Sequence, residues 1–249
     1  MTIATLGFTI LGIALLVVVT WCVLRAYGVP HLWAPGLAIL RGAVQLAAIS
    51  VILSGVITNP FLVALALLVM FSVATMTAAR RLGWSWSTFG RVGGSMAVGV
   101  LVTMGIIFVT GAVELTPRYA LAIGGIIVGN SMTTAVLAGR RFTEAVNDHW
   151  EEVEGWLALG ATPRHATLEL ARGAVYSALI PSVDQTKTTG LVTLPGAFVG
   201  AIFGGVSPLE AGQFQIVVLA GIMATGAITA VSLTALRANI RTRPAALGR

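Results

Sequence analysis

The sequence predicts an all-α, polytopic membrane protein with about seven helical spans. Three observations carry that expectation. Hydrophobic residues fill 57% of the 249 positions and charged residues only 10%, against about a quarter charged in soluble domains. The apolar residues gather into runs of about twenty, the length at which a helix rising 1.5 Å per residue crosses hydrocarbon. Alternating ten-residue strands are absent, and a bilayer core accepts only self-bonded helices or closed barrels.

The first span covers about residues 5–24; it lacks a basic leader and a small-residue cleavage site, so it reads as retained. The second covers about 35–57, with Arg41 and Gln45 near its start, and Thr58-Asn59-Pro60 turns the chain into a third over about 61–79. Arg80 and Arg81 close that span, and a polar, tryptophan-bearing link leads to a fourth over about 93–113. A fifth at about 119–138 ends at Arg140-Arg141. The sixth falls at about 190–206 and the seventh at about 214–236, before a basic tail. All spans belong to one transmembrane domain, and residues 139–187 form an extramembrane helical segment. Within it, the apolar stretch after Ala174 is too short to cross and ends at Pro181. It reads as a half-helix, a re-entrant entry or the start of a broken sixth helix.

Charge sets the orientation. Arg25, Arg80, Arg81, Arg91, Arg140, Arg141, Arg164, Arg172 and the tail arginines, Arg249 among them, share one side if the N-terminus is outside. The opposite turns then carry only Arg118, so the positive-inside rule selects N-out, C-in. The net charge of +6 is therefore a topology signal, with no nucleic acid implied. Cys22 is the single cysteine, so no intrachain disulfide is possible.

The segment from Glu144 predicts two helices on the cytoplasmic face. The first runs to about Leu159, with Trp150, Val153 and Leu157 on one face. Gly160 suits the left-handed residue that ends a helix. Thr162-Pro163 then supplies an N-cap and an N1 proline for a second helix reaching about Arg172. Its acidity disfavours lying on the negative inner leaflet and favours docking a partner.

Residues Glu154-Gly155-Trp156-Leu157-Ala158-Leu159-Gly160-Ala161-Thr162 resemble the cytoplasmic EAA loop of ABC-transporter permeases. Gly155 and Trp156 stand where that pattern has two alanines. Further motifs follow in order: Gly129-Asn130-Ser131-Met132-Thr133, Pro181-Ser182-Val183-Asp184-Gln185-Thr186-Lys187-Thr188, Gly190-Leu191-Val192-Thr193-Leu194-Pro195-Gly196, and Gly204-Gly205-Val206-Ser207-Pro208. With Gln213-Phe214-Gln215-Ile216 they resemble the FetB (YbbM) family of permeases over nearly the whole chain. That resemblance implies the membrane subunit of an ABC exporter in the inner (plasma) membrane, moving iron. It also implies a permease homodimer with a separate FetA-type ATPase that holds ATP and magnesium, this chain binding no cofactor itself. Glu154, Leu157, Gly160, Ala161 and Thr162 would then couple to the ATPase.

The residues themselves leave several roles open. Asp184 and Lys187 are three apart and would pair on a helix, locking a helix break near the cytoplasmic surface; Asp184 with Gln185 also suits a cation ligand or gate. Asn130, Ser131 and Met132 bring oxygen and sulfur into the fifth span, either bonding their own helix or lining a path. Gly196, Gly200 and Gly204 recur every four residues, as close helix packing requires, and Pro195 would loosen that helix as a hinge. No catalytic nucleophile motif, HExxH or phosphate-binding GxxxxGK[ST] is present, so an enzyme is not implied. An exporter of a small organic solute such as a nucleotide-sugar, or an ATPase-independent secondary transporter, is the alternative.

Overall fold

The starts of the long helices are written in short side chains. Asn59, Ser85, Thr116 and Ser207 each stand in extended backbone and accept hydrogen bonds from the first-turn N–H groups. Three of them precede a proline at the first helical turn, where no N–H is needed. At Ser207 the hydroxyl also donates to a Glu210 carboxylate oxygen at 3.0 Å.

The structure, a computed structural model, describes residues 3–56 and 58–245. Ten helices occur among them: α1 (Ile3–Tyr27), α2 (Ala34–Val56), α3 (Pro60–Arg81), α4 (Trp86–Val109), α5 (Pro117–Asp148), α6 (Trp150–Ala158), α7 (Pro163–Ala166), α8 (Leu168–Thr188), α9 (Gly196–Phe203) and α10 (Pro208–Arg237). Residue 57, which closes the predicted second span, and Arg249 of the tail lie outside the described residues. Five helices are long and apolar enough to cross a membrane: α1 from Gly7, α3, α4, α5 and α10; α2 adds a shorter apolar stretch, Ala34–Ser50. The chain is thus all-helical and polytopic, with five such helices where the sequence predicts about seven spans.

Two differences matter. The predicted fifth span ends near residue 138, but α5 runs on to Asp148 without a break. Arg140 and Arg141 end the hydropathy run yet leave the helical periodicity intact, and Ala138, Phe142 and Val146 recur every four residues as buried positions. The predicted sixth span is not one helix. Gly190 to Pro195 leaves helical geometry and α9 has only eight residues, about 12 Å, well short of a bilayer. The 21-residue α8 takes its place, continuing through Pro181.

The chain divides into two compact units, residues 1–57 and 58–249. In the first, Trp21 and Trp33 meet at 5.8 Å between ring centroids, and the Arg25 guanidinium lies 5.3 Å over the Trp21 ring. In the second, α5 and α10 are the central pillars: α10 packs against α4, α5, α8 and α9, and α5 against α3, α4 and α8. One apolar cluster joins Ile107, Ile123, Ile127, Val218 and Ile222, and a second joins Ala78, Leu82, Met96, Ala135 and Leu233. Outward positions are also apolar, with Leu101 71% and Val109 88% exposed, as lipid requires and water would penalise.

Between α4 and α10 the contact is backbone-close. A Cβ at Gly99 would lie 2.7 Å from Thr229 Oγ1 and 3.0 Å from the Thr225 carbonyl oxygen. Beside it, the Thr225 hydroxyl donates to Thr103 Oγ1 at 2.8 Å, fully buried. Small residues and hydroxyl bonds are what hold helices together where lipid competes for apolar contact. Gly99→Leu is therefore expected to destabilise the second unit by about 1–3 kcal/mol. Gly94→Leu on the same helix, where a Cβ meets nothing within 4 Å, should be near neutral. Thermal unfolding in detergent reads both; equal midpoints would show that the α4–α10 contact is loose.

Candidate functional site

Arginines mark one end of the second unit. Gly139 of α5 lies against Leu82 at the end of α3 and against Arg237 at the end of α10. Arg91 of α4 and Arg237 line one pocket. Arg80, Arg81, Arg91, Arg140, Arg141 and Arg237 thus belong to a common arginine-rich end. At the opposite end Tyr119 stacks on Phe214 at 5.5 Å.

Depth along α8 follows from its packing. Ala174 clusters with Phe142, Val146 and Ala238, and Ala178 with Ala138 and Ala230. Each step of four along α8 matches a step of four back along α5, so the two run antiparallel. Leu179 then meets Gly226, which also faces Thr134. Continued past Pro181, this register brings Asp184 to Lys187 level with Met132 to Gly129. At 1.5 Å per residue that is about 12–17 Å inward from Arg140, in the middle third of the bundle. Asp184 and Lys187 therefore lie deep. α8 begins at the arginine-rich end and carries them inward from it.

They do not point into the core. Lys187 Nζ stands 3.9 Å from Asp184 Oδ1, and the side chains are 72% and 64% exposed. The expected pair thus forms, but loosely. Neighbouring hydroxyls are spent on the helix: Thr186 donates to the Ser182 carbonyl at 2.8 Å, Thr188 to that of Asp184 at 2.9 Å, and Thr189 to that of Gln185 at 2.7 Å. The Asp184 carboxylate, Lys187 ammonium and exposed Gln185 amide remain for other partners.

The residues of α5 at this level divide. Ser131 is fully buried and donates to the Val128 carbonyl at 2.9 Å, and Met132 packs against the apolar core. Ser131 thus reaches no open face, while Met132 is only half-buried. Asn130 is half-buried, its amide donating to the Ile126 carbonyl at 2.9 Å, which leaves its side-chain oxygen; Thr133 is exposed.

Beyond Thr188 the helix breaks. Gly190 takes a left-handed φ of 90°, and Thr188, Thr189, Gly190 and Thr193 close a turn through Gly190 N–H to Thr193 O at 2.8 Å and Val192 N–H to Thr188 O at 2.9 Å. Pro195 then precedes α9, so it is a helix start and not a hinge within a span. Phe198 of α9 lies against Gly212 near the start of α10. α8 is thus followed by a break and by the short α9, and neither is among the helices long and apolar enough to cross a membrane. Gly196 and Gly200 meet nothing within 4 Å and Gly204 only its own helix, so their expected close packing is not made within this chain. Sequence reasoning missed this interruption, although Gly190 and Pro195 bracket it. Irregular backbone at membrane depth is tolerated where it is buried in protein or lines a water-filled cavity, and in transporters it marks binding sites.

The second candidate region projects from the arginine-rich end. α5 gives way at His149, whose ring Nδ1 lies 3.0 Å from the Ala145 carbonyl, so the predicted helix starts at Trp150 and not at Glu144. Val153 is buried, Leu157 and Ala161 half-buried, and Glu154, Gly160 and Thr162 exposed. Gly160 has φ 86°, the left-handed stop read from the sequence. Thr162 caps α7 by accepting from His165 N–H at 3.3 Å, with Pro163 at N1. The His165 ring meets Trp156 edge-on at 5.8 Å, tying α7 to α6. Leu159, 83% exposed, stands at the tip with the acidic first turn of α6 behind it. Among the described residues no three His, Cys, Asp or Glu come together as a metal cage.

This architecture defines a polytopic helical membrane protein, with a break between α8 and α9 and an exposed helical tip. Residues 8–240 match the model of the uncharacterised protein family UPF0014, and the chain belongs to that family. It is 39% identical over 199 residues to the Arabidopsis thaliana Protein ALUMINUM SENSITIVE 3, covering 79% of this chain and 72% of that one. It is 34% identical over 202 residues to the Bacillus subtilis UPF0014 membrane protein YjkA, covering 80% and 81%. The Escherichia coli Probable iron export permease protein FetB is 34% identical over 137 residues, 55% of this chain and 53% of that one. No solved structure matches the chain.

The depth of the polar band is directly measurable. With Cys22 replaced by serine, nitroxides at Gln185 and Arg141 should be separated axially by about 15 Å, and at Gln185 and Arg118 by about 20 Å. Pulsed electron paramagnetic resonance gives both distances. A short first distance with a second beyond about 30 Å would return Asp184 to the surface.

Proposed function

We propose that the chain is the membrane subunit of an ABC exporter that moves metal ions, iron foremost, out of the cytoplasm. It works as a homodimer with two copies of a separate FetA-type ATPase, which alone binds ATP and magnesium. The observation that carries the reading is the exposed Asp184–Lys187 pair at membrane depth beside a helix break. Ionised groups at that depth are costly in hydrocarbon and face protein or water. A second copy packed over this face would enclose a polar path between the two α8 helices.

Chemistry supports a cation as cargo. Asp184 supplies a carboxylate, and Gln185 and Asn130 supply amide oxygens at the same level, donors that suit hard and borderline cations. Two copies would double the set. Lys187 competes for Asp184, so an ion is held weakly enough to leave, as export requires. The name of the Escherichia coli relative points the same way.

The positive-inside rule makes the arginine-rich end cytoplasmic, which puts the α6–α7 tip where an ATPase would meet it. Closure of the ATPases on ATP would bias the dimer through this tip by binding one state better than the other. Glu154, Leu157, Gly160, Ala161 and Thr162 belong to that contact.

Co-purification with a FetA-type ATPase tests the assembly. Wild type should retain the ATPase, and Glu154→Lys and Gly160→Pro should lose it while keeping the thermal midpoint of the spans. A wild-type chain that binds no ATPase, yet still moves ions, would bring the secondary-transporter reading forward. Transport tests the path. Asp184→Asn should lower iron movement into inverted vesicles by about tenfold or more, at least about 1.4 kcal/mol, with the ATPase still bound; full activity would remove Asp184 from the path.

A further inference from the structure

The arginine-rich end holds a site that the transport reading does not use. A pocket of about 240 Å³ is lined by Arg91, Thr143, Arg237, Asn239 and Arg241, with Phe142 among its apolar walls. That is smaller than the pockets of about 300–1,000 Å³ that hold drug-sized ligands. No carboxylate lines it, and none of its arginines has a salt bridge among the described residues. The three ion pairs that do form are all between residues three apart, at Arg141, Arg172 and Lys187.

Arg237 is the informative member. Its Nη1 is buried and makes no hydrogen bond, and Nη2 reaches Thr143 Oγ1 only at 3.4 Å. A buried guanidinium donor is expensive to leave unmade, and like-charged neighbours raise the cost. Arg91 is held over the pocket by its own helix, Nη2 donating to Ser87 Oγ at 2.6 Å. The backbone arrangement is fixed from two sides: Thr143 Oγ1 donates to the Gly139 carbonyl at 2.9 Å, and Gly139 has no side chain where Arg237 Nη1 passes. Three arginines and an amide lining one pocket without a counter-charge make a donor set for a tetrahedral oxyanion, which guanidinium forks match in pairs.

We propose that this pocket binds a phosphate-bearing anion, bridging Arg91, Arg237 and Arg241 and so tying the ends of α4, α5 and α10 together. The anion is either the headgroup of an acidic lipid in the adjacent leaflet or free phosphate; basic pockets at this depth take lipid headgroups in other membrane proteins.

The full chain in nanodiscs of phosphatidylcholine alone is the reference. Adding phosphatidylglycerol at about a third of the lipid should raise the thermal midpoint by about 3–6 °C if the headgroup is the ligand. Millimolar inorganic phosphate in phosphatidylcholine nanodiscs should give a shift of that size if the free anion is. Arg241→Gln, an exposed change that leaves the helices untouched, should remove most of the gain, and Arg237→Gln all of it. Arg118→Gln at the opposite end should keep it. A gain that survives in both pocket variants, or no gain with either probe, overturns the proposal.

Discussion

Charge cannot stand in hydrocarbon alone, and the second unit is arranged around that constraint. Its described arginines other than Arg118 are gathered toward one end, where headgroups and water are near. Its acidic residues lie in the tip or near helix ends, except Asp184 well inside α8. Asp184 and Lys187 are the exception that defines the molecule: a loose pair on an exposed face, in the middle third of the bundle. The neighbouring hydroxyls are accounted for locally, and only the Gln185 amide and the Asn130 side-chain oxygen stay open beside the pair. Ser131, Thr133, Thr186, Thr188 and Thr189 all bond carbonyls of their own helix or turn.

The packing explains why α8 can carry such residues. α5 and α10 form a rigid pair of pillars, joined to α4 through Gly99 and the Thr103–Thr225 bond. Alanines at 174 and 178 seat one side of α8 against both pillars. The anchored half lies toward the arginines and the charged half lies beyond Pro181, so anchoring and polarity are separated along one helix. Past Thr188 the chain turns and restarts as α9, leaving Leu191, 94% exposed, and Val192, 77% exposed, beside the polar residues. Apolar and charged groups exposed together at one level are surfaces for protein contact, because lipid suits only the first and water only the second.

Much of this was legible in the sequence, and the misses share a cause. The turn at Asn59-Pro60, the helix start at Thr162-Pro163 and the stop at Gly160 are local chemistry and were read residue by residue, whereas the same signal at Thr116-Pro117 and Ser207-Pro208 was passed over for spans starting near 119 and 214. The ends of the fifth and sixth spans were misread because hydropathy reports affinity for lipid and not helicity. α5 passes Arg140 and Arg141 without interruption, since Phe142 and Val146 still find a buried face. α8 was hidden because Asp184-Gln185-Thr186-Lys187 looked extramembrane, and only its register against α5 shows how deep those residues lie. The arginine pocket was likewise invisible, because Arg91, Arg237 and Arg241 come from separated stretches that only the bundle brings together.

The same distinction orders the candidate sites. The tip of α6 and α7 is a local structure: a left-handed glycine, a capped proline and one aromatic contact hold its shape whatever surrounds it. It can therefore be rigid enough to pass on motion while resting on little of the bundle. The polar band on α8 is the reverse. Its donors come from two helices and its charges face outward. The tip is tied to α8 at Thr167, between α7 and α8, which is fully buried and donates to the carbonyls of Pro163 and Ala238. Tip, helix and charged pair lie on one continuous element, which is the shortest mechanical route the fold offers between its two exposed polar regions.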